Sequence, residues 1–255
     1  MPLFRADLHV HTCLSPCGDL EMSPRGVVEA AANASLDIIA ICDHNSAENV
    51  AATRRAAARS GGRLKVLCGL EVCSVEEIHI LALFEEINQS LAMQTLVYDH
   101  LPPRTNRPEI FGDQIIANED DEVEGFNDRL LITATNLDLN AVVAAIHQLN
   151  GLAVASHVDR ETFGLLGQLG FLPPDLQADG LEISSLSPID RFLTTHPNLI
   201  DWPMIRGSDA HYFPDLGAAW TEFFMERPEL SEIALALQHR AGRKILRLRL
   251  SSDKD

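Results

Sequence analysis

The chain has 255 residues, 46% of them apolar and only 5% aromatic, enough aliphatic material to bury a sizeable core in one large α/β domain. Twenty lysines and arginines against thirty-seven aspartates and glutamates give a net charge of −17, which argues against a nucleic-acid polymer as partner unless bound cations reverse the local field. Five cysteines, an odd number, and an opening run with no signal-peptide character make a cytoplasmic protein the expectation, and no apolar run is long enough to span a membrane.

Phe4 to Val10 reads as a strand that places His9 and His11, at i and i+2, on one face. The turn that follows holds Ser15, Pro16, Gly18 and Asp19, which can fold the Asp19 carboxylate back toward the histidines. Cys13 and Cys17 lie in the same stretch, but their C-x3-C spacing has no second pair, so free small side chains are expected there. Ser23-Pro24 then starts a helix over Arg25 to Ser35. Leu36 to Cys42 is a buried strand that ends abruptly in Asp43-His44-Asn45.

Glu48 to Arg59 is helical and stopped by Ser60-Gly61-Gly62. Leu64 to Cys68 forms the next strand, closed by Glu71, and Ile78 to Phe84 another, with His79 in an apolar setting that suits a core histidine as well as a ligand. From about 85 to 135 the alternation lapses in what reads as an insertion: a helix over Ser90 to Leu101, then a hairpin of Gln114 to Asn118 and Val123 to Phe126 around a solvated acidic tip, Glu119 to Glu122. His100 in this stretch is not a candidate ligand. Alternation resumes with a helix over Leu137 to Leu149 and a strand, Leu152 to Ala155, running into Ser156-His157. Gly180 to Ile183 ends in hydroxyls, and Met204 to Gly207 runs into Asp209 and His211. A last helix, Ser231 to Arg240, is started by Ser231, and the basic cluster Arg240, Arg243, Lys244, Arg247 and Arg249 reads as a solvated terminal segment.

The unit of strand, polar terminus and helix recurs about seven times, as in a parallel barrel with strand C-termini at one mouth. The polar termini are His9, His11, Asp19, His44, Glu71, His79, His157, Asp209 and His211. Mixed imidazole and carboxylate ligands suit zinc, iron or manganese, and nine exceed what one ion can use, so two or three divalent ions are implied. Such centres polarise a phosphoryl oxygen and hold a bridging hydroxide, which makes hydrolysis of a small phosphorylated metabolite or nucleotide the leading chemistry, although amide hydrolysis would use similar ligands. Asp43 is placed to orient a ligand imidazole. Arg160 could clamp a substrate phosphate, or form a surface ion pair; Asn45 could bind substrate, or simply form the turn.

The motifs HVHT, CDHN, GLE, HIL, SHV and GSDAH, in this order, resemble those of the polymerase and histidinol phosphatase (PHP) family over nearly the whole chain outside the stretch 85 to 135. The resemblance implies a distorted seven-stranded, TIM-like β/α barrel with a trinuclear site and no catalytic residues beyond the ligands. One ion would be held by His9, His11, Glu71 and Asp209, a second by Glu71, His79 and His157, and a third by Asp19, His44 and His211. Two other readings stay open: a 3′→5′ exonuclease-like PHP module, and a metal-stabilised regulatory module without turnover.

Overall fold

In the computed structural model, which describes residues 1–250, the sheet grows from β1 (Leu3–Val10), whose Ala6 to Val10 are buried. Strands covered by helices on one side and by packed side chains on the other carry such near-continuous burial. The next elements are α1 (Pro24–Asn33), β2 (Ile38–Ile41), α2 (Val50–Arg59) and β3 (Lys65–Cys73). Ser23 caps α1 as expected, accepting from the Gly26 amide at 3.3 Å and satisfying a donor the helix leaves open. β1, β2 and β3 are parallel neighbours.

The all-parallel expectation fails at β4 (His79–Phe84), which runs antiparallel to β3 with Cys73 opposite His79. The reason is length: a few residues after Cys73 suffice for a hairpin, whereas a parallel crossover takes a dozen or more. This reversal brings the start of β4 to the mouth where the parallel strands end. His79 therefore stands at that mouth, not in the middle of the core.

The expected helix and hairpin follow as α3 (Ile87–His100), the short α4 (Pro108–Phe111), and the antiparallel pair β5 (Ile115–Ala117) and β6 (Val123–Phe126). The acidic tip is docked on the helices instead of standing in solvent. Glu119 pairs with Arg55 and Arg59, at 2.7 Å each, and Asp120 with Arg59 and Asp121 with Arg25, both at 2.9 Å.

Asp138 caps α5 (Leu139–Gln148), accepting from Ala141 at 2.7 Å. Then come β7 (Leu152–Ala155), α6 (Leu165–Leu169), β8 (Gly180–Glu182), α7 (Ile189–Thr195) and β9 (Met204–Ile205). The chain ends with β10 (Ala219–Phe224), α8 (Leu230–Leu237) and β11 (Lys244–Leu250). The sheet order is β11-β10-β1-β2-β3-β4-β7-β8-β9. Beyond β9, Ala210 bridges in parallel to Val10, its carbonyl accepting from the His11 amide at 3.0 Å. The strands from β1 to β9 therefore curl into a nearly closed α/β barrel.

β10 and β11 extend the sheet past the N-terminal half of β1. The basic terminal segment is thus an edge strand: Arg243 pairs with Glu226 and Glu232, and Arg247 and Arg249 approach Glu222, positive charge being a common way to blunt a sheet edge. α8 begins after Glu229, with Ser231 already inside it. Among the described residues, no helix is long and apolar enough to cross a membrane.

One buried cluster, including Leu8, Ile38, Ala40, Leu67, Leu81, Leu83, Val154 and Ile205, fills the barrel together with Leu230, Ile233 and Ala236 of α8. The Leu230 amide donates to Glu85 at 2.8 Å, just past the end of β4, so α8 plugs the end opposite His79. Glu71 lies four residues beyond Leu67 on the same strand face, so it projects inward at the open mouth. Asp7, fully buried, accepts from the amides of Ser208 at 2.9 Å and Gly217 at 3.2 Å, tying the closing segment to β1. Burial pushes its pKa up to about 6, against those hydrogen bonds.

Candidate metal centre

Glu71 is the hub. It is 1% exposed, and its oxygens lie 3.1 Å from His44 Nδ1 and His79 Nδ1 and 3.3 Å from His9 Nε2 and His157 Nε2. Neither oxygen has a partner in hydrogen-bond geometry. Leaving a buried carboxylate so unsatisfied costs several kcal/mol unless a cation completes it.

The imidazoles around Glu71 are held from behind. His9 Nδ1 is 2.9 Å from Glu182 Oε2, His11 Nδ1 is 2.9 Å from Ser15 Oγ, and His211 Nδ1 is 2.9 Å from the Asp209 carbonyl. With Nδ1 donating in each case, Nε2 carries the lone pair, the arrangement usual for metal-binding histidines. His9 Nε2 and His11 Nε2 then sit 3.1 Å apart, and Asp209 Oδ1 lies 3.3 Å and 3.1 Å from them. Acceptor atoms crowded this closely call for a positive charge between them.

Three triplets, His9/His11/Glu71, His44/Glu71/His79 and His11/His44/His211, each bring their ligand atoms within 4.8 Å of one another. The residues fit the divalent ions that the sequence implies: buried, mixed nitrogen and oxygen donors, with an orphaned carboxylate at the centre.

The electrostatics agree. Burial raises the Glu71 carboxyl, but His79 and His9, with His157 and His44 close beside it, outweigh burial and hold it well below the usual range. Asp209 is likewise lowered by His9 and His11 against its burial. Burial pulls His9 down, yet Glu182, Asp209 and Glu71 carry it well above an ordinary histidine. His11, crowded by burial and by His211, goes the other way. Such opposed shifts within one cleft mark a functional site.

The backbone is strained here as well. Asn45, His157 and Asp209 have φ of 53°, 27° and 53°, left-handed values that cost non-glycine residues free energy and gather at functional sites. Gly207 is required by contact: a Cβ there would lie 2.7 Å from Glu182 Oε1 and 2.9 Å from His9 Cβ.

Eight of the nine sequence-predicted ligands meet at this mouth. Asp19 does not join them: its carboxylate accepts from the Glu21 amide at 2.9 Å, closing a local turn. In its place stands Cys17, with Sγ 3.2 Å from His44 Nε2. Burial raises this thiol, but His44 and His211 overcome it and bring it down to about 6.

Asn45 also departs from expectation. Its amide donates to the carbonyls of Leu131 at 2.7 Å and Thr133 at 2.9 Å, and accepts from the Cys73 amide at 3.1 Å. These bonds make it a clamp on the 131–133 loop. Asp43 acts on His11 through Ser15, whose hydroxyl donates to Asp43 at 2.7 Å. Glu182, which sequence reasoning passed over, supports both His9 and the His157 amide, the latter at 3.0 Å. Its tripeptide, Gly180-Leu181-Glu182, repeats Gly69-Leu70-Glu71.

A cavity of about 210 Å³ opens over the cluster, lined by Cys17, His44, His79, Arg160, Phe163 and Asp209 among others. Arg160 Nη1 is 2.6 Å from Asp209 Oδ2. Phe163, 36% exposed, stacks on the His79 ring at 4.5 Å.

The nearly closed α/β barrel carries at its mouth an imidazole and carboxylate cluster fit to hold divalent ions. The chain belongs to the PHP domain family, which it matches over residues 7–165, with a PHP-associated match over residues 200–243. It is 33% identical over 93 residues to the 5′-3′ exoribonuclease Rnm of Escherichia coli strain K12, an alignment covering 35% of this chain and 31% of that protein.

Among solved structures, the lesion-specific endonuclease PfuEndoQ from Pyrococcus furiosus superposes with a TM-score of 0.70 at 18% identity, over 97% of this chain and 58% of that one. Endonuclease Q in complex with a 27-mer duplex bearing an abasic lesion gives 0.68 at 18%, over 96% and 58%. The chain thus spans under two thirds of each of these proteins. They overturn the expectation, drawn from net charge, that argued against a nucleic-acid polymer as partner. A sum over the whole surface does not report the field at one mouth, where bound cations would dominate.

Proposed function

We propose that the chain is a metal-dependent phosphoesterase that hydrolyses phosphodiester bonds of nucleic acid at the Glu71 cluster. The observation that carries this reading is the pair of unpartnered Glu71 oxygens enclosed by four imidazoles. Divalent ions held by His9, His11, Glu71, Asp209, His44, His79, His157 and His211 would supply Lewis acidity at a phosphoryl oxygen and an activated water.

The chain's own side chains do the positioning. Glu182, Ser15 and the Asp209 carbonyl fix the imidazole tautomers. Arg160, at the cavity wall, is placed to turn from Asp209 toward a phosphate, which suits its planar fork of donors. Phe163 offers its exposed face beside His79 for a base to stack on.

The cavity, about 210 Å³, is below the ~300–1,000 Å³ of sites that enclose a whole small ligand. A phosphoryl group fits such a space, whether it belongs to a strand or to a small ester. The exoribonuclease and the endonuclease Q complex support nucleic acid as the substrate class. The test is hydrolysis, by protein reconstituted with manganese, of end-labelled single-stranded RNA and DNA alongside a panel of small phosphate monoesters. The reading predicts a higher kcat/KM on the polymers; turnover confined to the monoesters would reverse it.

A further inference from the structure

The loop between β1 and α1 is folded tightly over the mouth. The Ser15 amide donates to the Thr12 carbonyl at 3.1 Å, the Gly18 amide to the Ser15 carbonyl at 2.9 Å, and the Asp19 amide to the His211 carbonyl at 2.8 Å. A Cβ on Gly18 would come within 2.9 Å of the Thr12 carbonyl oxygen, so the turn is fixed by close backbone approach. Its effect is to set Cys17 against His44, while the Asp19 carboxylate accepts from the Glu21 amide.

We propose that Cys17, His44 and His211 form a thiolate-containing cation site, distinct in donor chemistry from the positions around Glu71, and that it selects zinc over manganese. Sγ lies 3.2 Å from His44 Nε2. His44 presents Nε2 to the thiol while its Nδ1 lies 3.1 Å from the Glu71 carboxylate, and the Asp209 carbonyl holds the His211 ring from behind at Nδ1, leaving His211 Nε2 as the remaining donor. His11, His44 and His211 already bring ligand atoms within 4.8 Å, and the rings of His11 and His211 stack at 4.1 Å.

Cys17 lines the same cavity as Glu71, whose oxygens are unpartnered, so the thiol stands beside an incomplete charged site and not in apolar packing. The other cysteines, Cys13, Cys42, Cys68 and Cys73, are buried, while Cys17 is half-buried. A soft thiolate with two imidazoles favours zinc, whereas manganese favours oxygen-rich positions. One protein would then hold unlike ions side by side.

This inference rests on the reading that the cluster binds divalent cations, and cobalt(II) separates the two. Chelator-stripped protein is titrated with cobalt(II) while absorbance is followed in the near-ultraviolet, where sulfur-to-cobalt charge transfer appears, and in the visible, where ligand-field bands report binding of any kind. The expected result is a charge-transfer band in the wild type that is absent from Cys17→Ser and Cys17→His, with ligand-field bands kept in both. Ligand-field bands without charge transfer in the wild type, or charge transfer surviving Cys17→Ser, would overturn the thiolate site and leave the cation reading standing. No cobalt bands at all would overturn both. Should the variants not fold, alkylation of wild-type Cys17 by iodoacetamide, mapped by mass spectrometry, decides: zinc slows it at least tenfold if the proposal holds and leaves it unchanged if it does not.

Discussion

Glu182 Oε2 lies 2.9 Å from His9 Nδ1, with both side chains buried in the barrel mouth. The carboxylate fixes the ring so that Nε2 faces Glu71 and Asp209, and it also receives the His157 amide at 3.0 Å. Partners of this kind are worth about 10–100-fold in metal affinity. Glu182→Gln is therefore expected to weaken divalent-ion binding by that factor, measured by competition with a chromophoric chelator, while the protein stays folded by circular dichroism. Unchanged affinity would remove Glu182 from the site.

Arg160 makes its ion pair with Asp209 at 2.6 Å while facing the cavity. A hydrogen bond to a charged group contributes about 1.5–3 kcal/mol, so Arg160→Ala should raise KM for a phosphate ester roughly tenfold or more with a smaller change in kcat. Arg160→Lys should recover only part of the loss, because a point charge cannot make the paired bonds of a guanidinium. If KM for the alanine variant equals the wild-type value, the phosphate-clamp role is wrong.

Phe163, with φ of 60° and its ring on His79 at 4.5 Å, is held in a left-handed conformation at the cavity edge. Stacking of a base on an aromatic ring is worth about 1–3 kcal/mol. Phe163→Ala should weaken binding of a single-stranded oligonucleotide about fivefold to a hundredfold, measured by fluorescence anisotropy in calcium. Hydrolysis of methyl phosphate, which has no base, should change little.

Asn45 bonds the carbonyls of Leu131 and Thr133 and the amide of Cys73. Its replacement by Ala leaves these buried groups unpaired at about 1–3 kcal/mol each. The account predicts a lower Tm for Asn45→Ala with KM within about twofold of wild type at a temperature where both are folded. A large KM effect at unchanged Tm would restore it as a substrate contact.

Much of the site was legible because a ligand at the end of a buried strand interrupts an apolar run. His44 after Ile38–Ile41, His157 after Leu152–Ala155 and the Asp209/His211 pair all show this break. What escaped was set by tertiary geometry. The direction of β4 depends on a short link and not on the strand's composition. The choice of Cys17 over Asp19 depends on a backbone bond from Asp19 to His211, which is far away in sequence. Asn45 looked like a polar residue at a strand end and proved fully engaged with a distant loop.

Other misses were avoidable. Glu182 sits in a repeat of the tripeptide that carries Glu71, and Leu246, Leu248 and Leu250 alternate with Arg247 and Arg249 in the two-residue period of a strand. Counting the charges of that terminal segment hid its alternation.

The most direct measurement is the rate of single-stranded oligonucleotide cleavage by chelator-stripped protein with and without added manganese, for the wild type and Glu71→Gln. With cations contributing several kcal/mol to the transition state and about 1.36 kcal/mol for each tenfold in rate, the wild type should gain on the order of a thousandfold from manganese. Glu71→Gln, folded by circular dichroism, should gain almost nothing. Equal activity of the two proteins, or wild-type cleavage that persists without any divalent ion, would contradict a hydrolase built around Glu71.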